Sequence, residues 1–71
     1  MMRELMKVLP PKFVMYRKIE TDTDVTYKEH HIDLHNDFDL AFVDFMADVI
    51  NVIVVFAVNN DLCIIYEEIP H

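Results

Sequence analysis

The sequence predicts an α+β fold: an antiparallel sheet with one helix, in the order β-β-α-β-β. Three observations lead there. Four short runs are rich in β-branched and aromatic residues, which suit a pleated surface. One run between the second and third repeats its apolar residues at helical spacing and follows a capping residue. Turn-forming Thr, Asp and Asn mark the joints, in a chain with no glycine at all.

Residues 1–9 are separated from the rest by Pro10-Pro11, so they form a short arm or a helical turn. Phe13 to Glu20 (FVMYRKIE) alternates, with Phe13, Met15, Arg17 and Ile19 on one face, which is a strand pattern. TDTD at 21–24 is a turn whose side chains bond their own backbone. Val25 to Leu34 is a second β-rich run, so 13–34 reads as a hairpin. Asn36 offers an N-cap, with Asp39 three residues on, and the helix is placed at about 37–50. Val52 to Val58 (VIVVFAV) is a continuous apolar strand. Asn59-Asn60 fits a two-residue hairpin turn, Leu62 to Glu68 returns as the last strand, and Pro70 stops it.

Seventy-one residues form one small domain with a marginal core, which often leans on a partner chain. Cys63 is the only cysteine, so no internal disulfide forms and a reducing intracellular setting fits. The N-terminus lacks the apolar stretch of a signal peptide, and Asp44 and Asp48 inside the longest apolar segment argue against a membrane span. The hydrophobic fraction is 54% at a net charge of −7, so the chain should fold and carry its charge outside. Residues 1–18 hold Arg3, Lys7, Lys12, Arg17 and Lys18 against Glu4 alone. The acids of the remainder are opposed only by Lys28. Such a surface repels nucleic acid and suits a basic partner, and DNA-binding clefts are the commonest basic surfaces in a cell.

The helix carries more apolar surface than a monomer needs. Asp37, Asp44, Asp48 and Asn51 share one narrow stripe; Phe38, Phe42, Phe45 and Val49 form one ridge, and Val43, Met46, Ala47 and Ile50 a second. A second copy of the chain is expected over one ridge, with the arm residues Leu5, Met6, Val8 and Leu9 as the alternative cover. The surface offered to that copy is assigned to Phe45, Met46, Val49, Val54 and Phe56. Asp39 lies between the two ridges and reads first as a helix-start residue.

HHIDLHNDFD, residues 30–39, gathers three of the four histidines. Strand alternation separates His30 from His31, whereas His31, Asp33 and His35 could share a face and hold a metal. No dedicated motif has that spacing, and surface histidines on a half-exposed strand are the preferred reading, so no metal and no cofactor are expected. The chain has no serine, and Cys63 sits in an apolar strand where it behaves as a small hydrophobe. Nothing here favours an enzyme. What remains is an acidic binding module with carboxylates beside phenylalanine at a helix start. Carboxylates can stand where DNA phosphates bind, and an apolar cleft can hold a side chain that a base-flipping enzyme inserts into DNA.

These features resemble the small, DNA-mimicking uracil-DNA glycosylase inhibitors of podovirus-type Bacillus phages. The match runs over 14–58 without a gap, in spacing and residue class: Asp22 and Asp24 in the turn, Tyr27 and His30 in the second strand, Asp37-Phe38-Asp39 at the helix start, Phe42 one turn on, and a final apolar strand. The chain departs from the family in carrying Lys28 where the family has an acid, with Glu29 next to it on the other face. It also has phenylalanine for tyrosine at 42, no turn glycine, and an extra strand at 62–68. The resemblance implies a homodimer in the cytoplasm of an infected bacterium that fills the host glycosylase's DNA-binding cleft. The enzyme's DNA-inserting apolar residue would be held in a hydrophobic pocket between the two helices of the dimer, lined by Phe38 and Phe42. Asp37, Asp39, Tyr27, Glu29 and His30 would complete the contact. One domain, 1–71, is then divided into an arm (1–12), a family-like core (13–58) and an extra strand (59–71). The alternatives are an acidic mimic aimed at another host DNA-binding protein, such as a nuclease or a CRISPR complex, a small metal-binding domain, or a structural dimerisation module.

Overall fold

The computed structural model describes residues 2–69. It contains α1 (Met2–Met6), β1 (Lys12–Glu20), β2 (Val25–Asp33), α2 (Asp37–Met46), β3 (Ile50–Val58) and β4 (Asp61–Glu68). The expected α+β class and the order of the five main elements are found, and the arm forms the additional helix α1. Pro70, expected to stop the last strand, lies outside the described residues.

Two hairpins build the sheet. In the first, β1 and β2 pair antiparallel from Lys12 opposite Asp33 to Glu20 opposite Val25. The TDTD turn closes it, with the Thr21 N–H donating to the Asp24 carbonyl at 2.8 Å and the Asp24 N–H donating to Thr21 Oγ1 at 3.1 Å. In the second, β3 and β4 pair antiparallel around Asn59 and Asn60, whose φ of 51° and 69° are the left-handed angles of the expected turn. Their register slips between Val52 and Val54, a bulge.

The sheet is mixed, not wholly antiparallel. Its strand order is β2-β1-β4-β3, and β1 and β4 run parallel at the centre, from Val14 beside Cys63 to Arg17 beside Tyr66. α2 therefore carries the chain from one edge of the sheet to the other. Helix α2 is also shorter than expected. It ends at Met46, with the Ala47 N–H donating to the Val43 carbonyl, and the chain is extended again from Ile50. Val49, Ile50, Val52 and Ile53 form a β-branched run that favours strand over helix.

Both helices lie on one face of the sheet. Phe13, Met15, Ile32, Ile64 and Tyr66 from the strands enclose a core with Val43 and Met46 of α2, Ile50 and Met2 of α1. Leu5, Met6 and Leu9 pack against it, so the arm does cover part of the apolar surface, while Val8 stays exposed. Arg3 fixes the arm sideways. Its Nε and Nη2 donate to the two Asp48 oxygens at 2.8 and 2.6 Å, and Nη1 reaches Asp44 at 3.2 Å. No helix among the described residues is long and apolar enough to cross a membrane.

Met15 is wholly buried, so Met15→Ala should cost about 2–5 kcal/mol in urea unfolding. The Arg3 clasp should respond to acid. Hydrogen bonds from Arg3 hold the Asp48 carboxyl below its ordinary range. A depressed carboxylate adds stability above its unfolded pKa and loses it as pH falls through the folded one. Protection of the Val8 and Leu9 amides, which donate to the Leu5 carbonyl, should therefore fall below about pH 4 once exchange is corrected for its intrinsic pH dependence, and Arg3→Ala should abolish that pH step. An acid-insensitive α1 in the unaltered chain would contradict the assignment.

Candidate partner-binding surface

The junction between β2 and α2 is built by side chains bonding backbone. Asn36 is the N-cap, extended at φ −88° and ψ 125°, and its oxygen accepts from the Phe38 N–H at 2.9 Å and the Asp39 N–H at 3.2 Å. Asp33 turns the chain: its Oδ1 accepts the His35 N–H at 2.9 Å and its carbonyl accepts the Asn36 N–H at 2.9 Å. Asp39 reaches back, its Oδ2 accepting the part-buried Asp33 N–H at 2.9 Å. Asp39 is thus a brace between helix and strand: its Oδ2 is engaged by the β2 backbone and not by the Asn36 N–H that a capping box would use, which donates to the Asp33 carbonyl. Asp37, in the first turn, stays exposed.

This junction fixes where the phenylalanines point. Phe38 is 87% exposed and Phe45 70% exposed, two turns apart on one stripe. Phe42 lies between them, half buried, its ring 5.6 Å from that of His30 on β2 and tilted by 40°. The ridge therefore flanks β2, while Arg3 and α1 occupy the other flank of α2. Phe42 and His30 meet, with Phe38 on the same ridge, whereas Asp37 falls on the acidic stripe of Asp44 and Asp48, about 100° round the helix from Phe38.

Tyr27 and Glu29 do not join them. Alternation places Lys28 and His30 on the helix side of β2, and Tyr27 and Glu29 on the opposite face. There the Glu29 Oε1 accepts from the Tyr16 hydroxyl at 3.1 Å and lies 3.5 Å from His31 Nε2. The Tyr16 phenol is raised above its ordinary value, first by that bond to the carboxylate and then by burial.

The residues assigned to a dimer interface form no single patch. Met46 is 7% exposed and belongs to the chain's own core, because the inner ridge of α2 faces the sheet. Val49 is packed at the edge of that core. Phe45 flanks β2, whereas Val54 and Phe56 lie on β3, the far edge strand. The possible metal trio is not assembled either. Asp33 is engaged by the His35 backbone and His31 faces Glu29, and no metal-binding group of three or more forms among the described residues. Cys63 is buried, as expected.

Two residues with clear roles escaped the sequence reading. Arg3 could have been suspected as a cation available to the acidic stripe of the helix. Tyr16 could have been paired with Glu29, since the two positions are symmetric about the TDTD turn.

Comparison with known proteins adds no relative. No protein-family model matches the chain, and no curated protein and no solved structure is similar to it.

Asp39→Ala should leave the part-buried Asp33 N–H without its acceptor and cost about 1–3 kcal/mol in urea unfolding. Asp37→Asn should change stability by no more than about 0.5 kcal/mol. Equal effects of the two would refute the bracing role.

Proposed function

We propose that this chain inhibits a host uracil-DNA glycosylase as an acidic DNA mimic, in the cytoplasm of an infected bacterium. The observation that carries the proposal is Phe38, 87% exposed at the start of α2 beside Asp37 and continued by Phe42 and Phe45. An aromatic so exposed in so small a domain marks an interaction site. The net charge of −7 suits a basic cleft and steers the approach to it.

The contact set differs from the one that the family resemblance implies. The apolar docking surface is the Phe38–Phe42–Phe45 ridge with His30, and it is complete within one chain. Asp37, exposed at the head of α2 on the neighbouring acidic stripe, supplies the phosphate-like charge. Asp39 stands behind the ridge as its support, and Tyr27 and Glu29 lie on the other face. Lys28, on the His30 side of β2, puts a cation where the family has an acid. That substitution favours keeping the alternative of another host DNA-binding protein, such as a nuclease or a CRISPR complex.

The homodimer is proposed on a separate surface. β3 is an edge strand with no charged residue from Ile50 to Val58, and Ile53, Val54, Val55 and Val58 are exposed. Two negatively charged copies repel least where neither presents an acid. Edge pairing there would leave both phenylalanine ridges free.

The test is uracil excision by a bacterial uracil-DNA glycosylase, with complex formation followed by sedimentation. Inhibition at micromolar protein is expected, and Phe38→Ala should weaken it about tenfold or more with the circular dichroism unchanged. Absence of both complex and inhibition would overturn the glycosylase reading. Full inhibition by Phe38→Ala would overturn the ridge as its contact.

A further inference from the structure

The sheet face away from the helices carries a second apolar site. Tyr16 on β1, Tyr27 on β2, Ile65 on β4 and Phe56 on β3 line a shallow hollow of about 260 Å³. The rings of Tyr16 and Phe56 come from strands separated by β4, yet they stand nearly parallel, 19° apart in plane, with centroids 6.4 Å apart. Tyr27 is 54% exposed at the rim. Beneath them Val14 and Cys63 are buried, though they lie outside the main core. The rings therefore shelter the strands below, on a face that no helix covers.

The charges around the hollow select what could enter it. Glu29 is held at its edge by the Tyr16 hydroxyl at 3.1 Å. Glu67 follows Ile65 by two positions on β4 and so points to the same side. Lys18 shares this face and pairs with Tyr27 across the hairpin, but its ammonium lies 3.9 Å from Glu20. His31 is 3.5 Å from Glu29. Three aromatic rings with their negative faces, and carboxylates at the rim, suit a cation that is weakly hydrated and flat. An ammonium is compact and strongly hydrated, and gains less from a stacked ring.

We propose that this hollow binds an arginine side chain of a basic protein partner, with its guanidinium on the faces of Tyr16, Tyr27 and Phe56 and turned towards Glu29. The site is on the opposite side of the sheet from Phe38 and does not depend on the glycosylase reading.

The probe is N-acetyl-arginine amide, titrated into the ¹⁵N-labelled full-length chain. Its neutral isostere N-acetyl-citrulline amide and N-acetyl-lysine amide serve as comparisons. Saturable shifts are expected at Tyr16, Tyr27, Phe56 and Ile65 with arginine, and weaker binding with the other two. Tyr27 is exposed enough to replace without harm to the core, and Tyr27→Leu should weaken arginine binding about two- to fivefold. Citrulline binding as well as arginine would overturn the cationic assignment. Lysine binding equally well would overturn the stacked geometry, and no shift at these residues would overturn the site. Each result is independent of whether uracil excision is inhibited.

Discussion

Parallel pairing of Val14–Arg17 with Cys63–Tyr66 at the centre of the sheet requires the chain to cross from one edge to the other before β4 is laid down. α2 is that crossing. Its position over the sheet gives Val43 and Met46 something to pack against, and its two flanks then differ. One flank meets β2 through Phe42 and His30, and the other meets α1 through Asp44, Asp48 and Arg3. The exposed phenylalanines, the sheltered inner ridge and the bare opposite face of the sheet all follow from that one connection.

The elements were largely legible in the sequence because each is announced locally. Asn36 capped the helix, Asn59-Asn60 took the left-handed angles of their turn, and the alternation of 13–20 gave the right inward face. Strand order was not legible, since no periodicity says which strand becomes the neighbour of β1. The length of α2 was misjudged for a related reason: Val49 and Ile50 continue the helical ridge on paper, yet their β-branched character suits the strand they join. The surface was only partly readable. Alternation separated Lys28 and His30 from Glu29, but Met46 could be assigned to the core only once the side of α2 facing the sheet was known.

The charge of the molecule is less uniform than its total suggests. Asp44 and Asp48 are engaged by Arg3, Asp39 by a backbone amide, and Glu68 by Arg17 at 3.1 Å. These acids build the fold as well as its field. Asp37 at the head of α2 and Asp22 and Asp24 in the hairpin turn remain exposed. Much of the charge open to a basic partner is therefore carried by acids that also hold the fold together.

The two edges of the sheet are unlike. β2 carries Lys28, Glu29, His30, His31 and Asp33 along its length, whereas β3 carries no charge. A fibril needs two receptive edges per molecule, one to give and one to take, and charged residues blunt such growth. Here only one edge is open to a neighbour. Were two β3 strands to meet as proposed, the contact would be isologous and would use up the surface that made it, so association through the sheet would stop at a closed pair. The asymmetry lets a small, highly apolar chain keep an uncharged strand at its border without inviting polymerisation.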